Sequence, residues 1–360
     1  MINIKPVAKP EEITFKSPFV DTKEVTVKAT SVTIKSQGTV NPGTESQIFS
    51  EIIGPVIFVS SKLEEGASFS KGDTLAMIDP KDYELDIKSA ESNLAAAKTK
   101  LTFEEAEAKS AKEEWEKIGK GKPSDLTLRV PQLNQAKSAV EAAEASLERL
   151  KRNLNKTIIT APYNGLVRKK NIDIGTIVSP GYLLSSVYSI DYVEIKLPVP
   201  DEDLAFMDIP LDGKEIKVEN QSKVRLSGLF GGVEMNWQGR IVRMEAEIDP
   251  KSRMAILIAR VQNPYDLSIY KIPLRVGQFV QAQIIGKKYN NIVEIDRELI
   301  KNNNEIITVN QTDSTLSYQT VTILRYIDDT ALISSGLNQN SLLCITNLDL
   351  MYDGMKIQLR

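Results

Sequence analysis

Histidine is absent from this 360-residue chain, and cysteine occurs once, as Cys344. The first absence removes the commonest general base and the commonest metal ligand together. The second excludes an intrachain disulfide and any multi-cysteine metal site. No apolar run reaches the roughly eighteen residues of a membrane-spanning helix. The opening MINIKPVAKPEEITF has neither the basic-then-apolar order of a signal peptide nor a lipidation cysteine. Acidic residues number 48 against 45 basic ones, mixed along the chain without a basic face, which argues against nucleic acid as a partner. Acids and lysines are present, but no nucleophile, base and orienting group recur as a set. The scattered methionines, Met235, Met244 and Met254 among them, read as strand packing rather than a soft-metal site. No catalytic residue, metal or cofactor is therefore expected.

What is present is β structure interrupted by one block of a different kind. From about residue 12 to Met77 the chain reads as strands, with EVTVKATSVTIKSQGTV alternating apolar and polar positions in the period-2 pattern of a half-buried sheet. At Asp79, an N-cap candidate, followed by Pro80 as first helical residue, the period changes. Ile87, Leu94, Leu101, Ala108 and Trp115 recur every seven residues. Ala90, Ala97, Ala111 and Ile118 fill the alternate seam, with Glu104 alone out of pattern. A break follows in GKGKPSDL, where Gly119, Gly121 and Pro123 suit a stop and a turn. A second helix then runs to about Asn155 on Leu133, Ala136, Val140, Ala143, Leu147, Leu150 and Leu154, with Pro131 confined to its first turn. Two apolar positions per heptad make a coiled-coil seam, too narrow for a helix lying on a globular core. The spacing predicts an antiparallel hairpin whose first arm projects roughly 55 Å.

The flanking β segments echo each other. GASFSKGDTL, beginning at Gly66, and GTIVSPGYLL, beginning at Gly175, share glycine, an apolar residue three on (Phe69, Val178), a second glycine (Gly72, Gly181) and a leucine (Leu75, Leu184). These glycines read as turn residues that need positive φ or close approach. Neither unit is large enough to hold a core, so the two are expected to pack together as halves of one domain, with the hairpin inserted between them.

At these residues the chain resembles a known family. GPVIFVSSKLEEGASFSKGDTLAMID and TIITAPYNGLVRKKNIDIGTIVSPGYLL are similar to the two half-motifs of a biotinyl/lipoyl-like domain split by a helical hairpin. GRIVRMEAEIDPKSRMAILIARVQNP and LRVGQFVQAQI resemble a β-barrel motif and its closing strand, and DGMKI the end of a membrane-proximal domain. That order is the order of the membrane fusion proteins, the HlyD-like periplasmic adaptors of tripartite efflux systems. The resemblance implies a mainly β, multidomain chain. Residues 1–49 and 290–360 would form the membrane-proximal β domain, 50–81 and 157–189 the split lipoyl-like β-sandwich, 82–156 the hairpin and 190–289 the β-barrel.

The resemblance also implies a function: a non-enzymatic adaptor in the periplasm, anchored to the inner membrane by an N-terminal lipid or helix absent from this sequence. Its partners would be an inner-membrane RND-type transporter, a TolC-like outer-membrane channel and further copies of itself in a ring, trimeric or hexameric. An ABC-type exporter is the alternative partner. Family tips dock on the channel through an Arg, a Leu and a Ser at fixed offsets. Here Ile118 and Ser124 stand in the apolar and hydroxyl places, with Leu126 beside them. The arginine place falls near Glu113 or Glu114, a departure, and Arg129 lies across the turn. Two other classes compete. A biotin or lipoate carrier would keep a modified lysine on the turn that the hairpin replaces, and a scaffold would use the coiled coil alone.

Overall fold

The computed structural model describes residues 17–119, 121–210, 214–246, 253–348 and 350–360. The first residues of the expected membrane-proximal domain, 1–16, therefore lie outside the described residues. Elsewhere the chain forms four β-rich or helical bodies strung in the order that the hydrophobic periods suggest.

The two echoed segments interlock as a sandwich. One four-stranded sheet runs Ile177–Val178, Gly54–Val59, Thr74–Ile78, Ile158–Thr160; the other runs Glu45–Phe49, Leu183–Ser189, Gly165–Lys170, Ser68–Phe69. Each sheet thus takes two strands from each half of the repeat. Between the sheets lie Phe69 and Leu75 from the first half and their counterparts Val178 and Leu184 from the second, all buried. Each such side chain contributes roughly 1.5–3 kcal/mol by leaving water. Because the strand Glu45–Phe49 pairs with Leu183–Ser189, the sandwich starts before the expected border at residue 50.

The barrel is a closed ring of six strands. Its staves in order are Lys223–Phe230, Val233–Met244, Met254–Gln262, Tyr192–Pro200, Val27–Pro42 and Phe279–Asp296, the last pairing back onto the first. Val224, Leu226, Leu257 and Ile284 face inward, Val224 and Leu226 alternating with outward Lys223, Arg225 and Ser227, and Trp237 packs with them, its indole N–H donating to the Ile272 carbonyl at 3.0 Å.

One stave corrects the expected partition. Val27–Pro42 precedes the sandwich in sequence and was assigned with residues 1–49 to the membrane-proximal domain. Its residues Val40–Pro42 pair with Val193–Ile195, and Thr33–Thr39 pair with Phe279–Ile285, so this part belongs to the barrel. Its other end, Val27–Ser31, pairs with Lys288–Val293, with one irregularity in the ladder before this stretch and one within it. The two strands form one ribbon that leaves the barrel and enters the next domain, because pairing simply continues past each bulge. Beyond it, Thr22–Glu24 pairs with Leu342–Cys344, and Phe19–Val20 with Gln358–Leu359, joining the two ends of the described chain.

A second link crosses the same border. The short helix Asp201–Leu204 buries Asp203, whose Oδ1 lies 2.7 Å from Arg325 Nη1 on the strand Thr322–Ile327. The Arg325 guanidinium also sits over the Phe206 ring at 5.1 Å.

Helices α1 (Lys81–Ile118) and α2 (Val130–Asn155) leave the sandwich between the paired strands Thr74–Ile78 and Ile158–Thr160. From Ile87 to Trp115, only the nine predicted seam positions of α1 are shielded from solvent, Glu104 among them, and every other side chain is exposed. On α2 all seven predicted positions from Leu133 to Leu154 are shielded as well. At 1.5 Å per residue the 38-residue α1 is about 57 Å long.

Candidate docking site at the hairpin tip

The base of the hairpin is held by backbone geometry. Gly66, Gly72, Gly175 and Gly181 all have φ between 79° and 91°, the region where a side chain is strained. Each donates its N–H to a carbonyl of the opposite half: Gly66 to Val167 at 2.8 Å, Gly175 to Val56 at 2.8 Å, Gly72 to Ala161 and Gly181 to Ser50 at 2.9 Å. In every case the residue after the glycine accepts a bond in return, so the halves clasp each other through four reciprocal pairs. At the mouth of the hairpin Asp79 Oδ1 accepts from the Lys81 N–H at 3.1 Å, one residue ahead of the expected cap geometry, because Pro80 rather than Asp79 occupies the cap position. Tyr83 donates its hydroxyl to the Ile53 carbonyl at 2.7 Å, and Lys156 pairs with Glu51 at 2.7 Å. Both arms are thereby fastened to the sandwich.

At the far end α1 stops at Gly119, which takes the left-handed conformation at φ 59° and donates to the Trp115 carbonyl, a common helix C-terminus. Ser124 then caps a single turn. Its Oγ accepts from the Thr127 N–H at 3.2 Å and lies 2.7 Å from the Thr127 hydroxyl, and its carbonyl accepts from Leu128 at 3.1 Å. Arg129 ends the turn in the left-handed region, φ 56°, and α2 begins with Pro131 in its first turn.

The four predicted tip residues separate into two kinds. Ile118 is 71% exposed and Leu126 is 70% exposed. Ser124 is exposed, but its hydroxyl is engaged inside the turn. Arg129 points back along the hairpin, and its Nη2 donates to Glu104 Oε2 at 2.7 Å. The hydrogen bond from Arg129 to Glu104 raises the guanidinium pKa above its ordinary value. Glu104, which the heptad pattern left unexplained, is thus the counter-charge of Arg129. Seven-residue spacing exposed the mismatch but carried no information about its partner on the other arm. Phe103, 67% exposed on the outer face of α1, also lay outside the seam reading.

Three comparisons locate this architecture among known proteins. Residues 48–189 match the family model for the RND MFP barrel-sandwich hybrid domain, which spans both halves of the sandwich and the hairpin between them. The multidrug resistance protein MdtA of Cronobacter turicensis is 25% identical over 331 residues, covering 89% of this chain and 74% of that protein. The sandwich and its hairpin are thus a barrel-sandwich hybrid domain of the membrane fusion protein type. Another relative of this adaptor is the efflux pump periplasmic linker BepD of Brucella suis, 24% identical over 289 residues, 78% of this chain and 71% of BepD. In fold the adaptor is similar to MacA of Actinobacillus actinomycetemcomitans, with a TM-score of 0.64 at 18% identity over 91% of this chain and 99% of MacA. The membrane fusion proteins are non-enzymatic adaptors of efflux pumps, and the match covers the sandwich that carries the hairpin.

Proposed function

We propose that this adaptor joins an inner-membrane RND-type transporter to a TolC-like outer-membrane channel in the periplasm, in a tripartite export pump. The observation that carries the reading is the hairpin. Its first arm is about 57 Å long and pairs along its seam with a second arm of about 39 Å, and Ile118 and Leu126 in and beside the connection are exposed to solvent. Apolar side chains held at the end of a long rigid arm are suited to burial against a partner's helices. The barrel and the membrane-proximal domain are the parts left to grip the transporter, and copies of the sandwich side by side would form the ring.

The test is capture in the cell. A photo-crosslinking residue at Leu126 is expected to trap an outer-membrane channel, and Leu126→Asp together with Ile118→Asp to abolish channel association while the melting temperature of the adaptor stays unchanged. Export that survives removal of residues 81–156 would refute the role given to the hairpin. Co-purification with an ABC-type exporter in place of an RND-type transporter would reassign the inner-membrane partner.

A further inference from the structure

The outer wall of the barrel carries a row of like charges. In the register of the sheet, Lys223 stands directly opposite Arg240, and Arg240 directly opposite Arg260. Arg225 follows Lys223 by two residues on the same outward face. Like charges placed opposite one another on neighbouring strands destabilise a sheet. Only Arg260 is compensated: its guanidinium reaches Glu194 at 2.9 Å and Glu215 at 2.7 Å. Arg240 donates to the Val218 carbonyl at 3.3 Å, and Lys223 and Arg225 have no carboxylate partner among the described residues.

These cations form the floor of a cleft of about 720 Å³, within the roughly 300–1,000 Å³ usual for small-molecule sites. One wall is the segment around Val218, which is 70% exposed; the other carries Ile269, 57% exposed, and Tyr270. Ile285 extends the apolar surface. Glu215 is the one carboxylate lining the cleft among the described residues, and Arg260 already occupies it.

We propose that this cleft binds an amphipathic anion, with a phosphate or carboxylate head on Lys223, Arg225 and Arg240 and a hydrocarbon portion between Val218, Ile269 and Ile285. Guanidinium groups suit such heads because their planar fork matches two oxygens at once. The bound head would relieve the repulsion along the row, while the apolar walls would lose their contact with water. The site is independent of the adaptor's docking role, since it uses none of the residues of the hairpin.

The experiment titrates the full chain with decyl phosphate below its micelle concentration, with inorganic phosphate and with decyl maltoside. One saturable decyl phosphate site is expected, weakened at least tenfold in Arg225→Glu/Arg240→Glu, and at least tenfold tighter than either inorganic phosphate or decyl maltoside. Val218→Asp, which leaves the cations in place, is expected to weaken decyl phosphate but not inorganic phosphate. Lys223→Glu serves as the charge test should the double variant fail to fold. Flotation with phosphatidylglycerol vesicles, against phosphatidylcholine vesicles, separates the sources. Retention on the anionic vesicles alone, lost in the charge variant, assigns the site to lipid headgroups; decyl phosphate binding without retention assigns it to a dispersed amphiphile. Decyl phosphate binding to the charge variant as tight as to wild type, or decyl maltoside binding as tight as decyl phosphate, overturns the proposal.

Discussion

Arg129, at the start of α2, donates to Glu104, in the middle of the α1 seam, at 2.7 Å. The pair replaces one layer of apolar packing by an ion pair where α2 begins, well short of the end of α1. Removing one partner of such a pair leaves a shielded charge without its counterpart, whereas replacing both by apolar residues restores a continuous seam. Arg129→Met is therefore expected to lower the melting temperature followed by helical circular dichroism, and Glu104→Leu/Arg129→Met to recover or exceed the wild-type value. Equal destabilisation by the single and double variants would show that the pair is not coupled.

The clasp glycines and Gly165 fail in different ways when a methyl group is added. Around Gly66 and Gly181 there is open space, so alanine meets only the cost of a left-handed backbone, about 1–2 kcal/mol at each position. At Gly165 the added carbon would stand 2.3 Å from the Tyr188 carbonyl oxygen and 2.8 Å from the Phe69 ring. Gly165→Ala is expected to cost about 3 kcal/mol or more, or to prevent folding of the sandwich. Urea midpoints of the three variants would rank them.

Acid sensitivity has a named source on the barrel. Burial alone would raise the Glu194 pKa, but hydrogen bonds from Arg243 and Arg260 outweigh it and hold the carboxyl below its ordinary range. A group whose folded pKa is depressed stabilises the fold above its unfolded value, near 4.3 for Glu, and loses that contribution as pH falls through the folded value. Glu194→Gln should lower the urea midpoint at pH 7, with the difference from wild type narrowing below about pH 4. A constant difference from pH 7 to pH 3 would count against this assignment.

The contact of Asp203 with Arg325 predicts how the terminal β domain is retained on the barrel. Arg325→Ala leaves the buried Asp203 carboxylate unpaired, at a cost of about 3 kcal/mol. Limited proteolysis should then cut within the ribbon between the barrel and the terminal β domain sooner than in wild type, while the sandwich and hairpin resist as before.

The hairpin was legible almost residue by residue, because a coiled-coil seam is a local pattern: Ile87 to Trp115 reports its own burial through spacing alone. The repeat was legible for a related reason, since Gly66 and Gly175 each mark a turn that only glycine adopts without strain. The barrel was less so. Alternation in Val27–Pro42 announces a strand but says nothing about its neighbours, and those come from positions at least about 150 and 240 residues away. The tip fell between these cases. Ile118 and Leu126 are both exposed, although heptad spacing placed Ile118 in the seam, and the left-handed turn that aims Arg129 inward is a backbone choice with no glycine to advertise it.

The two arms rise from adjacent strands of one rigid mount, and their contacts repeat every seven residues. Lengthening both arms by one full heptad would keep each seam residue facing its mate and move the tip outward by about 10 Å. Any other increment would swing the tip round the helix axis and turn Leu126 toward a different bearing. The reach of the hairpin can thus be changed only in steps, like notches on a rule, and each step leaves the sandwich and the barrel untouched.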